Sequence, residues 1–174
     1  MVASSMSADS ETKELIRNAH FLRGAIISSY AEVEFLLTDL NMRCRRLSAY
    51  AGIATDFPYT LESKIARAKE LVAAPGPLSE YADDLLALVD RISAYETYRH
   101  FMAHGLMVVN TRETATAAIT FRMYRKAKKT PEEFGEIQTD LDQLTNLARE
   151  IGEYAHQIVT LVARIFQELS LEPR

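Results

Sequence analysis

The sequence predicts a mainly α protein, a helical bundle of about four main helices with a small β-hairpin inserted before the last long helix. Three observations point there. Apolar residues recur at intervals of three or four along most of the chain, the spacing of one helix face. Six Gly and five Pro in 174 residues are few for a strand-rich sandwich, which needs many turns. Ile137, Leu141, Leu144, Ala148, Ile151, Ala155, Ile158, Val162, Ile165 and Leu169 step alternately by four and three, an a/d seam over more than four heptads.

The elements follow in order. Residues 1–10 are small and polar and read as a flexible N-terminal tail; residues 11–174 read as a single helical domain. Ser10 can cap a first helix, with Glu11 and Glu14 in its first turn, where the helix dipole favours acids. Leu15, Ala19, Leu22, Ile26, Tyr30, Val33, Leu37 and Leu40 carry it to about Tyr50, where Ala51-Gly52 can close it. Thr60, with Ser63 three residues on, caps a shorter helix that Ala74-Pro75-Gly76-Pro77 stops. Tyr81 to His104 reads as a third helix ending at Gly105. The period then changes to two: Leu106–Asn110 is β-prone, and in Thr116–Tyr124 Ile119, Phe121 and Met123 alternate with Thr120, Arg122 and Tyr124. Thr130-Pro131 opens the last helix, with Pro in its first turn. Its seam either packs lengthwise within the bundle or meets a second copy of the chain.

Composition excludes several classes. A formal charge of −4 supplies no overall basicity for nucleic acid, while leaving room for a local basic patch. The one cysteine, Cys44, forbids an internal disulfide and any Cys-based zinc cage. The neighbouring Arg43, Arg45 and Arg46 would lower its thiol pKa if it were exposed; a small residue on a helix is the simpler reading. No apolar run is long enough to span a membrane, and Met1–Ser10 has neither a basic n-region nor an apolar h-region. A cytoplasmic protein without membrane association is therefore expected. The signatures of phosphate-cradling loops, dinucleotide-binding turns, zincin helices and nucleophile elbows are absent from the sequence.

The segment Tyr98-Arg99-His100-Phe101-Met102-Ala103-His104-Gly105 stands out. It holds two of the four histidines, spaced i, i+4 on one helix face. Near a helix C-terminus the dipole favours the imidazolium, and a His titrating near neutrality suits proton transfer. Arg99 adds a fixed positive charge with a planar fork of donors, suited to phosphate. Arg99 and His104 are equally the residue types that cap a helix C-terminus. The His100-x3-His104 spacing can hold zinc, but the sequence shows no third ligand, so no metal is expected. Glu34, on the apolar edge of the first helix, is a candidate partner that orients His104 or pairs with Arg99; the alternative is a solvent-facing acid beside basic neighbours. Glu96 is another potential partner of Arg99. His20 and His156 read as surface or partly buried polar residues. Arg122, Arg125, Lys126, Lys128 and Lys129, with Tyr124 among them, form a basic stretch that can follow a phosphate backbone and stack a base. The same run is also what a solvated strand end looks like. Arg43-Cys-Arg-Arg46 is a second, weaker basic cluster.

Arg99-His100-x3-His104-Gly105 resembles the signature of HEPN domains, an Arg, a polar residue and a His on a late helix. His100 stands where many members carry Asn. The layout is similar too, over roughly Glu11 to Leu169: a long first helix with an acid, a shorter second helix, the motif helix and a long closing helix. The resemblance implies a compact helical bundle that pairs as a homodimer, the motif helices lining a shared cleft. It implies a metal-independent endoribonuclease without cofactor, of the kind found in toxin–antitoxin and defence systems. In it Arg99 and His104 form the core, and His100 and Glu34 assist. It equally admits a non-catalytic module binding RNA, a nucleotide or a protein partner such as an antitoxin.

Overall fold

The computed structural model describes residues 3–53, 56–110, 118–125 and 133–171. In chain order these form α1 (Ala3–Cys44), α2 (Leu61–Ala73), α3 (Ala82–Arg91), α4 (Glu96–His104), β1 (Leu106–Asn110), β2 (Ala118–Arg125), β3 (Glu133–Thr139) and α5 (Leu141–Glu168). The chain is mainly helical, with a small antiparallel sheet directly before the last long helix. It divides into two compact units. One comprises Met1–Ser28 and Glu96–Gly152, the other Ser29–Tyr95 and Glu153–Arg174. Among the described residues no helix is long and apolar enough to cross a membrane.

In the second unit the helices pack by the faces their periodicity defines. Val33, Leu37 and Leu40 of α1, Leu71 of α2, Leu85 and Val89 of α3, and Ile158, Val162 and Ile165 of α5 are fully buried. Burial of such side chains contributes roughly 1.5–3 kcal/mol each. Helix α2 opens on the expected capping box: Ser63 N–H donates to Thr60 Oγ1 at 3.1 Å, and Thr60 N–H to Ser63 Oγ at 3.0 Å. Tyr154 of α5 donates its hydroxyl to the Leu88 carbonyl at 2.8 Å, satisfying the polar end of a buried ring. Tyr50 accepts from Leu78 N–H at 2.7 Å, and its ring lies so close to Gly76 that a Cβ there would collide with the phenol.

Three boundaries differ from expectation. Helix α1 starts at Ala3, so Ser10 lies within it; Ala3, Met6 and Ala8 are good helix formers, and the Lys13–Asp9 ion pair (2.6 Å) spans the expected start. It ends at Cys44 because Leu47 is extended (φ −72°, ψ 133°), leaving Ser48–Tyr50 as a separate 3-10 turn. The expected third helix, Tyr81 to His104, is two helices, α3 and α4, joined by a 3-10 stretch at Ile92–Tyr95.

Cys44 is fully buried, and burial pushes its thiol up to about 12. The arginines on either side therefore do not activate it. A folded-state pKa above the unfolded value of about 8.5 leaves stability intact below that pH and erodes it as pH rises toward the folded value. Native protein at pH 8 is expected to leave Cys44 unreacted with a thiol reagent and to release one equivalent on unfolding; rapid native labelling would contradict the burial.

In the first unit the sheet has order β1-β2-β3, all antiparallel. The strand pair β1–β2 is the expected hairpin, with Met107 opposite Phe121 and Val109 opposite Ile119. The third strand was not expected. The periodicity places residues 133–139 at the start of the last helix; the register instead puts Ile137 in the sheet, opposite Phe121, and outside the helical seam. Asp140 starts α5 instead: Gln143 N–H donates to Asp140 Oδ1 at 2.7 Å, and Asp140 N–H to Gln143 Oε1 at 3.2 Å. From there most of the seam is buried, while Leu141, Ala148 and Leu169 are half-buried. Leu144, Ile151, Ala155, Ile158, Val162 and Ile165 are buried by the chain itself, as lengthwise packing in its own fold requires.

Candidate functional site

Helix α4 carries the Arg-His-x3-His motif. Phe101 and Met102 are buried and fix its inner face, Arg99 and His100 are half-buried, and His104 is exposed in the last turn. The i, i+4 spacing brings the two imidazoles together: their ring centroids are 5.2 Å apart, edge to face at 65°. His104 thus meets solvent more fully than the half-buried His100.

The end of α4 is fixed by two devices. Gly105 N–H donates to the Phe101 carbonyl at 2.7 Å, closing the last turn. A Cβ on Gly105 would strike the Phe101 carbonyl oxygen and come within 3.3 Å of the Arg122 carbonyl on β2, so only glycine fits where the helix meets the sheet. The second device is Arg23 of α1. Its Nε donates to the Met102 carbonyl at 2.6 Å and its Nη2 to the Gly105 carbonyl at 3.2 Å, with the guanidinium 5.8 Å from the Phe121 ring centre. Arg23 thus supplies a cationic cap at this helix terminus. Replacing it by Met leaves two half-buried carbonyls without charge-assisted donors. Arg23→Met is expected to lower unfolding free energy by about 1.5–3 kcal/mol in denaturant titration; a change within experimental error would show that the bridge does not form in solution.

Glu34 stands in the second unit, where its Oε1 is 3.4 Å from Lys64 Nζ and both side chains are largely buried. Arg99, His100 and His104 are in the first. His20 and His156 are exposed. Among the described residues no three of His, Cys, Asp and Glu converge to hold a metal ion. Compared with family models, curated proteins and solved structures, the chain matches none.

Of the basic stretch, Arg122 and Tyr124 lie on the solvent face of β2. Arg122 Nε pairs with Glu136 Oε2 of β3 at 3.2 Å. Tyr124 packs edge to face on Phe134, directly opposite in the register, with ring centroids 5.5 Å apart. Arg125 ends β2, and Lys126, Lys128 and Lys129 lie outside the described residues. The weaker cluster is largely absorbed by structure: Arg43 pairs with Asp39 at 2.7 Å, donates to the Leu171 carbonyl at 2.8 Å and covers the Phe166 ring at 4.1 Å.

Two further residues matter at the site, and local periodicity does not reveal either. Arg23 falls between Ala19 and Ile26, both buried, at the step of four and three that the α1 stripe follows. A charged residue at such a position must find acceptors, and that was the available signal. Phe134 lies in a strand whose spacing to Ile137 and Leu141 also fits a helix.

Proposed function

We propose that the chain is a metal-independent endoribonuclease of HEPN type. What supports this reading most is the imidazole pair at the end of α4, one residue exposed and one half-buried, on the residue following Arg99 and five beyond it. Transesterification of RNA needs a base and an acid close together, and a donor for charge on phosphorus. His104, neutral and facing solvent, takes the proton of a ribose 2′-OH. That oxygen forms a bond to the adjacent phosphorus as the bond from phosphorus to the 5′-oxygen breaks. His100, protonated, gives its proton to the departing oxygen. Arg99 bears on the phosphoryl oxygens as their charge grows. The products are a 2′,3′-cyclic phosphate and a 5′-hydroxyl, and no metal takes part.

The dimer, with motif helices of two copies lining one cleft, belongs to this proposal, as do an antitoxin partner and a cytoplasmic setting. It rests on the motif resemblance, since the α5 seam is already filled by the chain itself. A non-catalytic RNA-binding module is the second reading, favoured by the exposed aromatic pair on the sheet, which needs no chemistry to be useful.

The test is incubation of matched RNA and DNA strands with the full chain in EDTA. Cleavage of RNA alone is expected, because DNA lacks the nucleophile. Cleavage of both, or cleavage lost with EDTA, would overturn the mechanism; stable RNA binding without turnover would favour the module.

A further inference from the structure

The solvent face of the sheet carries a patch that the fold does not explain. Tyr124 is 72 % exposed, Phe134 52 % and Leu106 68 %. The register puts all three on one face: Leu106 lies opposite Arg122, Arg122 opposite Glu136, and Tyr124 opposite Phe134 one row further along. Large exposed apolar side chains clustered on a rigid element mark a contact surface. A second stacked pair, Phe57 with Tyr59, sits instead in an irregular segment beside the acid Asp56.

We infer that this face, centred on Tyr124 and Phe134, is a base-stacking platform for single-stranded RNA, seating nucleotides that flank the cleaved bond. The inference rests on the ribonuclease reading for its relation to His104, but the platform itself does not depend on chemistry. Two edge-to-face rings on a sheet offer π-faces that accept any base. Charge is complementary at Arg122, which sits in the next row of the same face. The Arg122–Glu136 pair is solvent-exposed, so exchanging the carboxylate for a phosphate costs little. Position agrees as well. Leu106 is two residues beyond His104, and strand geometry separates it from Tyr124 by about 8 Å, so the platform lies within about 15 Å of the imidazole pair. A few nucleotides of extended strand cover that distance.

The chain has no tryptophan, which gives a clean probe. Full-length protein carrying His104→Ala, to prevent turnover, and Tyr124→Trp is titrated with a short unstructured oligoribonucleotide. Saturable quenching of the single tryptophan is expected. In anisotropy titrations of the same labelled oligonucleotide, Tyr124→Ala and Phe134→Ala are each expected to weaken binding by roughly 5- to 150-fold. Unchanged affinity in both alanine variants would overturn the platform, as would no RNA binding by the unsubstituted chain. So would a dimer-to-monomer shift in sedimentation with RNA affinity unaltered, which would make the face an interface between copies. The two readings fail separately: absent cleavage with aromatic-dependent binding removes the nuclease and keeps the platform, whereas cleavage with aromatic-independent binding does the reverse.

Discussion

His104→Ala is expected to lose RNA cleavage by about 10²- to 10⁴-fold, the usual contribution of a positioned general base. The fold should not change. His104 is exposed at the end of α4, and surface substitutions of this kind stay within about 0.5 kcal/mol of wild type. Thermal unfolding and circular dichroism of the variant should therefore overlay those of the native chain while turnover collapses. His100→Ala should also slow cleavage, and the slowing should shrink on substrates whose leaving oxygen is a weaker base, because such a group needs less protonation. Equal cleavage by wild type and His104→Ala would end the mechanism proposed here.

The largest effect on stability is expected at Phe121→Ala, a loss of about 3–5 kcal/mol. Phe121 is fully buried in the central strand, opposite Met107 on one side and Ile137 on the other. Its ring also lies under the Arg23 guanidinium that caps α4. Removing it opens a cavity between sheet and helix and loosens the support of the helix terminus. Chemical denaturation gives the loss, and hydrogen exchange should localise it to β1, β2, β3 and the end of α4. A change below about 1 kcal/mol would mean that the sheet does not form the packed face described above.

Much of the fold was readable because local chemistry and tertiary packing agree. Thr60 and Ser63 form the reciprocal box that their spacing implies, and the α5 seam from Leu144 to Ile165 is buried at every position but Ala148, which is half-buried. Failures came where two signals overlapped. Ile137 is four residues before Leu141 and so fits a helical step, yet it also alternates with Phe134-Gly135-Glu136 in a strand. Asp140-x-x-Gln143, a capping pair, was the signal that separates the two, since it starts the helix after Ile137. The break at Ile92–Tyr95 has no Gly or Pro to announce it; Ile92 and Tyr95 are both buried at a spacing of three, compatible with α-helix and 3-10 alike.

The candidate site was legible in part. The pairing of His100 with His104 follows from helix geometry, and Gly105 from the need to end the helix against the sheet. The capping role of Arg23 was not, because the hydrogen-bond acceptors it meets are backbone carbonyls 79 and 82 residues away in sequence. Short-range patterns cannot show such a contact. Separation in sequence also hides a partner of Glu34 in the second unit: Lys64 is 30 residues on.

The central proposal is that the RNA supplies its own nucleophile to His104. The most direct measurement uses an RNA strand cut at a known bond, resynthesised with a single 2′-deoxy sugar on the 5′ side of that bond, and treated with the full chain in EDTA. Loss of cleavage at that bond alone is expected, with cuts in the unmodified strand ending in 2′,3′-cyclic phosphate. Undiminished cleavage at the 2′-deoxy position, leaving a 3′-hydroxyl or a linear 3′-phosphate, would contradict it.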